Sequence, residues 1–122
     1  KNKKKSEVFL LNLGYKKKKE VIDINQKVRA MIMAHPVNFD IEIISKIRQS
    51  DVTPIDRLIS INSSVIYHIC FECADIKKLE IEMKKKNLLF KNIVKRTFSP
   101  LFNKDVSFYF SDSMGIIEII HL

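Results

Sequence analysis

Residues 65–75 read Val-Ile-Tyr-His-Ile-Cys-Phe-Glu-Cys-Ala-Asp, and the rest of the chain is best interpreted outward from them. The segment Val65–Cys73 is rich in β-branched and aromatic residues and has the length of a strand. Asp75 stands where the N-cap of a following helix belongs. Side chains alternate across a strand, so one face should carry a polar set. The residues of that face are His68, Cys70 and Glu72.

Size and composition predict a folded domain. The chain has 122 residues, of which 46% are hydrophobic, and this is enough for one core. It lacks an apolar run near the ~20 residues of a membrane span. Its lysine-rich start also lacks the apolar stretch of a signal peptide. A cytoplasmic location is therefore the default expectation.

The two cysteines, Cys70 and Cys73, form a C-x-x-C spacing that occurs in zinc sites and redox pairs. On a strand, positions i and i+3 lie on opposite faces. The sequence also has no second cysteine pair to complete a zinc site. We therefore do not expect a metal knuckle or a dithiol here.

The net charge of +8 comes largely from three lysine clusters. They comprise Lys1, Lys3, Lys4 and Lys5; Lys16 to Lys19; and Lys84 to Lys86. Basic stripes can bind nucleic acid through phosphate contacts. These clusters lie at element ends and lack the interleaved aromatic residues of a stacking platform. A solvated surface is the preferred interpretation.

Periodicity and capping signals predict the order of elements. Helices are predicted at Ser6–Leu13, ended by Gly14, at Thr53–Ile59 and at Asp75–Lys86, ended by Asn87. Strands besides the one at 65–73 are predicted at Lys17–Asp23, Val28–Ala34, Phe39–Ile44, Asn92–Phe98, Val106–Ser111 and Gly115–Ile120. His35 is interpreted as a turn residue, and His121 as lying beyond the last strand. The loop Ser99–Asp105 begins with Ser-Pro-Leu-Phe, a candidate wall or lid of a cleft.

An internal repeat decides the predicted architecture. The stretch 40–44, Asp-Ile-Glu-Ile-Ile, recurs at 116–120 as Ile-Ile-Glu-Ile-Ile, so Glu42 and Glu118 correspond at an offset of 76 residues. The preceding elements repeat as well. Leu13-Gly14-Tyr15 is matched with Lys86-Asn87-Leu88, Val21 with Val94, and the strand at Val28 with the strand at Val106.

The repeat predicts an α+β fold of two tandem βαβββ modules, related by a pseudo-twofold axis and forming a cleft. Module one spans 1–50, a connector 51–63 and module two 64–122, within one domain. The first module lacks its opening strand, because the counterpart of the His68 strand would fall before residue 1. An upstream segment or a partner chain is then expected to cover the bare sheet edge, which leaves a homodimer open.

This arrangement resembles the vicinal oxygen chelate superfamily of glyoxalase I, bleomycin-resistance proteins and extradiol dioxygenases. Several short motifs look like its methylmalonyl-CoA epimerase branch. They are Thr53-Pro54-Ile55 with Leu58, Tyr67 to Glu72, Asp75-Ile76, and Gly115 to Glu118. The resemblance covers nearly the whole chain and implies a single glyoxalase-like domain.

Two glutamates on corresponding strands and a histidine on the first strand of module two can converge in the cleft. Glu42, His68 and Glu118 are therefore the predicted metal ligands. Oxygen and imidazole ligands suit divalent zinc, nickel, cobalt, manganese or iron. In the superfamily a first-strand histidine of module one is the fourth ligand, and no residue of this sequence can take that role.

The resemblance implies a metal-dependent isomerase or lyase that removes a proton next to a metal-bound carbonyl of an acyl-CoA or keto-acid-like substrate. Glu118 or Glu42 would act as the general base. The epimerase branch has a second carboxylate on the strand equivalent to Val28–Ala34, and this sequence has none there. Methylmalonyl-CoA epimerase activity itself is therefore not expected. The alternative is a non-enzymatic small-molecule-binding module of the bleomycin-resistance type.

The lysine clusters give a first testable expectation. If they only solvate the surface, duplex DNA should bind more weakly than about 10⁻⁶ M at physiological salt. Fluorescence anisotropy at several salt concentrations measures this. Tight binding with a steep salt slope would instead support a nucleic-acid-binding protein.

Overall fold

The computed structural model describes residues 3–61 and 65–122, so Lys1 and the predicted boundary between 63 and 64 lie outside the described residues. The helices are α1 (Lys3–Asn12), α2 (Asp56–Ile61) and α3 (Ile76–Lys85). The strands are β1 (Lys16–Asp23), β2 (Val28–Ala34), β3 (Ile41–Lys46), β4 (His68–Cys73), β5 (Lys91–Ser99), β6 (Lys104–Ser111) and β7 (Gly115–His121). The chain divides into two compact units, Lys1–Val65 and Ile66–Leu122.

The first unit is a three-stranded antiparallel sheet, ordered β1-β2-β3, with α1 packed on one face. The core under the helix contains Leu10 and Tyr15 together with Met31 and Met33, which are completely buried. Burying each methionine contributes about 1.5–3 kcal/mol. The outer strand β1 is mostly exposed along its lysine run.

The second unit is a four-stranded sheet ordered β4-β7-β6-β5. Its last three strands are antiparallel neighbours, while β4 pairs with β7 in parallel. The helix α3 covers one face, where Tyr109, Ile117 and Ile119 form the core. A parallel pair needs a crossover connection, and the chain from α3 through β6 supplies it. The second unit is therefore a complete βαβββ module.

Both module helices end in the same way. Gly14 has φ +89°, and Tyr15 N donates to Leu10 O at 3.0 Å. In α3 the corresponding residues are Asn87, with φ +53°, and Leu88, whose N donates to Met83 O at 3.0 Å. This left-handed cap satisfies carbonyl groups that the helix leaves without partners. The two helix ends that the sequence matched are thus alike in backbone structure.

Strand register confirms the duplication. Glu42 of β3 is opposite Ile32 of β2, and Glu118 of β7 is opposite Phe108 of β6. Glu118 follows Glu42 by 76 residues, and Phe108 follows Ile32 by the same number. The two glutamates therefore occupy equivalent rungs of two equivalent hairpins, and the α+β fold with a βαβββ second module and an αβββ first module is as predicted. The pseudo-twofold relation, the cleft and the single domain stay predictions.

The proposed match of Val21 with Val94 is wrong. Val21 is opposite Ala30, whose counterpart at the 76-residue offset is Val106, and Val106 is opposite Thr97. Thr97 follows Val21 by the same 76 residues that separate the glutamates, whereas Val94 follows it by 73, the offset of the helix ends. Two of the three extra residues lie between α3 and β5, and the third is a bulge between Val94 and Thr97. Thr97 is therefore the true counterpart of Val21.

Several element starts also differ from the sequence prediction; β1 and β5 begin one residue earlier and β6 two residues earlier than predicted. β4 begins at His68 instead of Val65, because its ladder with β7 starts at the pair His68–Ile116, and Ile116 is only the second residue of β7. β3 begins at Ile41 because the register with β2 opens at the pair Met33–Ile41. α1 starts at Lys3 instead of Ser6, and lysine is a good helix former.

The helix α2 begins at Asp56, three residues after the predicted cap Thr53. Asp56 N donates to Thr53 O at 3.2 Å, and Thr53 Oγ1 donates to Asp56 Oδ1 at 2.6 Å. That short bond and the one from Lys46 lower the pKa of the Asp56 carboxyl. The threonine thus holds the turn before the helix through the aspartate side chain.

The connection between β5 and β6 spans residues 100–103 and is shorter than the predicted loop Ser99–Asp105, because Ser99 pairs with Lys104 in the sheet. Asn103 N donates to Ser99 O at 2.9 Å, and Leu101 is buried. The proposed role of this segment as a cleft wall or lid stays a prediction. None of the helices in the described part of the chain has the length and apolar character needed to cross a membrane.

The cap at Gly14 predicts a measurable effect on stability. Gly14→Ala forces an L residue into the left-handed region, which costs about 1–2 kcal/mol of unfolding free energy. Its new Cβ would also lie 3.3 Å from Nε2 of His35, so the loss should reach the upper end of that range. Urea unfolding followed by circular dichroism measures the change.

Gly115→Ala is the matched control. Gly115 also has a positive φ, of +73°, but a Cβ there meets nothing within 4 Å. Gly115→Ala should therefore lower the unfolding free energy only by the cost of the left-handed backbone conformation. If Gly14→Ala is no more destabilising than Gly115→Ala, the contact with His35 carries no energetic weight.

Candidate metal site on the helix-free sheet face

The parallel pairing of β4 with β7 positions the candidate site. His68 is opposite Ile116, and Cys70 is opposite Glu118. The alternate residues Ile117 and Ile119 pack under α3. Because side chains alternate across a strand, Glu118 lies on the face that α3 does not cover. His68 shares this face through its register with β7.

His68 and Glu118 contact each other directly. Nε2 of His68 lies 3.1 Å from Oε2 of Glu118, and the two side chains are only 8% and 5% exposed. Charged or polar side chains are seldom buried this completely unless they have partners. The structure therefore brings together two of the three predicted ligands within one unit.

Aromatic rings surround the histidine. The ring of Phe108 lies 5.8 Å from that of His68 at an interplanar angle of 81°, and Phe108 is also the cross-strand neighbour of Glu118. The ring of Tyr67 lies 4.4 Å from His68, again edge to face. These contacts fix the imidazole plane. The sequence analysis did not identify Phe108 as a site residue. Alternation of side chains along β6 could have placed it on the same face as Glu118.

The carboxylate geometry fits a cation better than a simple acid–imidazole hydrogen bond. Among the described residues, no donor makes a hydrogen bond of acceptable angle to Oε2 of Glu118. The 3.1 Å approach of His68 is thus close in distance but is not an aligned hydrogen bond. A buried acceptor left in this way costs about 1–3 kcal/mol.

The donor set also has the spacing of metal ligands. Two ligand atoms held 2.0–2.2 Å from one ion lie roughly 3.0–3.5 Å apart at octahedral or tetrahedral angles. The distance of 3.1 Å between Nε2 and Oε2 is within this range. Imidazole nitrogen and carboxylate oxygen are the ligand types that zinc, manganese, cobalt, nickel and iron accept. The residues present therefore fit a divalent metal ion.

Glu42, the third predicted ligand, belongs to the first unit. It is half-buried on β3 opposite Ile32. Its neighbours Ile41 and Ile43 pack against the core under α1, so Glu42 lies on the helix-free face of its own sheet. Glu118 has the same position in the second unit.

The other residues of the predicted β4 face have separate surroundings. The side chain of Glu72 is 62% exposed and lies 4.0 Å from the Lys104 ammonium. Both cysteines are free thiols, and Cys73 packs on the opposite face, beside Ile76 and Leu79 of α3. The predicted separation of Cys70 and Cys73 across the strand agrees with this packing.

The prediction that His121 lies beyond the last strand is wrong. His121 belongs to β7 and is opposite Cys73 of β4, and its Nε2 lies 2.8 Å from Oγ of Ser107. Burial lowers the pKa of His121, and the charge of Arg96 lowers it further against a raising effect of Asp105. Alternation from Ile117 and Ile119 could have placed this histidine on the face that α3 covers.

Comparison with known proteins gives a likeness of structure. No protein-family model matches the sequence, and no curated protein matches it. Among solved structures, methylmalonyl-CoA epimerase from Mycobacterium tuberculosis has a TM-score of 0.72 at 15% identity, over 94% of this chain and 76% of that one. A hypothetical protein from Bacillus halodurans C-125 has a TM-score of 0.77 at 17% identity, over 100% and 86% of the two chains.

A selenomethionine structure of methylmalonyl-CoA epimerase has a TM-score of 0.73 at 10% identity, over 97% of this chain and 85% of that one. Identities this low establish a shared fold and nothing finer. With its αβββ and βαβββ units, the chain shares the fold of these solved structures, which is the fold expected from the resemblance described for the sequence.

Proposed function

We propose that this protein is a metal-dependent isomerase or lyase of the glyoxalase and epimerase type, which removes a proton next to a substrate carbonyl group. The observation that carries the proposal is the buried contact between His68 and Glu118, with a carboxylate oxygen that lacks an aligned donor among the described residues.

The proposed ligands are His68 and Glu118, with Glu42 as the third. The register supports this set, because the two glutamates occupy equivalent rungs on the helix-free faces of the two sheets. When bound, a divalent ion polarises a substrate oxygen and stabilises the negative charge that develops on it. Which of zinc, nickel, cobalt, manganese or iron the site takes depends on availability as well as affinity.

The chain's own groups would perform the proton transfer. A glutamate carboxylate is the base within reach of a substrate held at this face, and Glu118 is the better buried of the two glutamates. Its surroundings exclude water, which strengthens electrostatic interactions with the substrate. Phe108 borders both Glu118 and His68 and so restricts where the substrate can lie.

The substrate class we propose is an acyl thioester or keto acid with an acidic proton beside its carbonyl. Two solved structures with this fold are those of methylmalonyl-CoA epimerases. Their reaction needs a base on each side of the reacting carbon. The strand β2, Val-Arg-Ala-Met-Ile-Met-Ala, offers no carboxylate, so a one-base isomerisation or elimination is favoured.

A non-catalytic binding module is the second candidate. The aromatic rings of Tyr67 and Phe108 next to His68 favour it, since they could contact an apolar ligand without a metal. The two candidates differ in whether the protein takes up a divalent ion.

Metal uptake is the deciding experiment. Metal-depleted protein titrated with Co²⁺ should develop visible absorption with one ion per chain. Loss of a residue that only hydrogen-bonds to a metal ligand weakens metal affinity by about 10- to 100-fold. His68→Ala removes a proposed ligand itself, so Co²⁺ affinity should fall by more than this. The fold should persist, which circular dichroism can verify.

His121→Ala is the matched control, because it removes a histidine from β7 on the opposite sheet face. It should leave Co²⁺ uptake unchanged. Absence of uptake by the unmodified protein would leave the binding module as the better function. Uptake that depends on His121 and not on His68 would refute the proposed ligands.

The missing carboxylate on β2 leads to a further expectation. Metal-loaded protein should show little or no epimerisation of methylmalonyl-CoA, measured as deuterium exchange coupled to inversion at the reacting carbon. Exchange without inversion is the signature of one base. Rapid inversion would mean that another residue supplies the second base.

A further inference from the structure

A groove on the α3-covered face of the second sheet is lined by polar groups that have no part in the proposed metal site. It has a volume of about 460 Å³ and lies between the start of α3 and the strands β5, β6 and β7. Residues from all four elements line it, including Lys77, Lys95, Arg96, Ser107 and His121. Ser107 and His121 alternate with residues of the helix-free face, so the groove and the candidate metal site lie on opposite faces of one sheet.

The acids of the groove are already engaged in internal bonds. Asp75 accepts a hydrogen bond from Lys78 N at 2.9 Å and so caps α3. Glu80 accepts one from the Tyr109 hydroxyl at 2.7 Å. Burial and this glutamate raise the pKa of Tyr109 to about 12, so the phenol keeps its proton. Both carboxylates thus have a hydrogen-bond donor within the second unit other than a lysine side chain.

The cations of the groove are not engaged in the same way. Within the described residues, Lys77 and Lys95 form no ion pair. Arg96 donates to Asp105 through Nε at 2.6 Å, and its side chain is 65% exposed. The lining of the groove therefore contains three cationic and two anionic side chains, and its two lysines offer ammonium donors.

Ser107 and His121 line the base of the groove and hydrogen-bond to each other. Ser107 is 3% exposed, and its hydroxyl is 2.8 Å from Nε2 of His121. Burial and the charge of Arg96 lower the pKa of His121, which favours its neutral ring. In either tautomer of a neutral His121, this bond uses one of the pair's two O–H and N–H donors and leaves the other.

We propose that this groove binds a phosphate-type oxyanion, with Arg96 and Lys95 supplying the charge and Ser107 and His121 the floor. Guanidinium groups pair with phosphate through two parallel hydrogen bonds, and ammonium groups add a point charge. The same chemistry would serve free inorganic phosphate or the phosphate of an organic monoester. Comparing the two ligands distinguishes these sources.

The test is titration of the metal-depleted 122-residue chain in the presence of a chelator, by calorimetry and by amide NMR shifts. Inorganic phosphate, glycerol 3-phosphate and acetate are compared at one ionic strength. Phosphate or its ester should bind and shift the amides of Arg96, Ser107 and His121. Tighter binding of the ester would identify an organic ligand, and equal binding would identify the free ion.

Charge-removing variants make the test specific. Arg96→Gln and Lys95→Gln should each weaken binding by about tenfold, the effect of losing one charge-assisted hydrogen bond. Lys91→Gln is the control, since Lys91 lies on the same exposed strand β5 but does not line the groove. All three side chains are exposed, so the variants should fold.

Three results would overturn the proposal. The first is the absence of shifts at the groove with either phosphate ligand. The second is an equal loss of affinity in Lys91→Gln and Lys95→Gln, which would indicate diffuse charge. The third is acetate binding as tightly as phosphate, which would indicate a site without preference for a tetrahedral anion.

Discussion

The parallel pairing of β4 with β7 is the constraint on which the candidate site depends. It places His68 opposite Ile116 and Cys70 opposite Glu118, so the imidazole and the carboxylate meet on one face. A slip by one residue would turn His68 toward α3, because the side-chain period of a strand is two. The register is fixed by packing on the other face, where Cys73 and Ile119 belong to the core under the helix.

Local signals in the sequence were sufficient for much of this structure. Glycine or asparagine after each module helix predicted left-handed caps, and Gly14 and Asn87 both have them. Isoleucines around Glu42 and around Glu118 predicted two equivalent strands, and the register shows them on equivalent rungs. These signals are local because they depend on backbone conformation and on alternation of side chains within one segment.

Features that depend on pairing with a distant strand could not be predicted from the local sequence. The start of β4 at His68 is set by where β7 begins, far along the chain. The match of Val21 with Val94 failed because it kept the 73-residue offset of the helix ends, while a longer connection before β5 and a bulge within β5 raise the offset to 76 without a clear mark in the sequence. His121 was misplaced for a related reason, since its partner Ser107 comes from another strand.

The duplicated module also explains why each sheet has one apolar face and one face with a glutamate. Each helix covers one face of its sheet with apolar residues and leaves a glutamate on the other, as the positions of Glu42 and Glu118 show. The helix-covered face of the second unit also carries a polar pair near the end of β7, where Ser107 and His121 line a groove with their side chains 2.8 Å apart. The pair can be kept on this face because each side chain gives the other a hydrogen-bond partner.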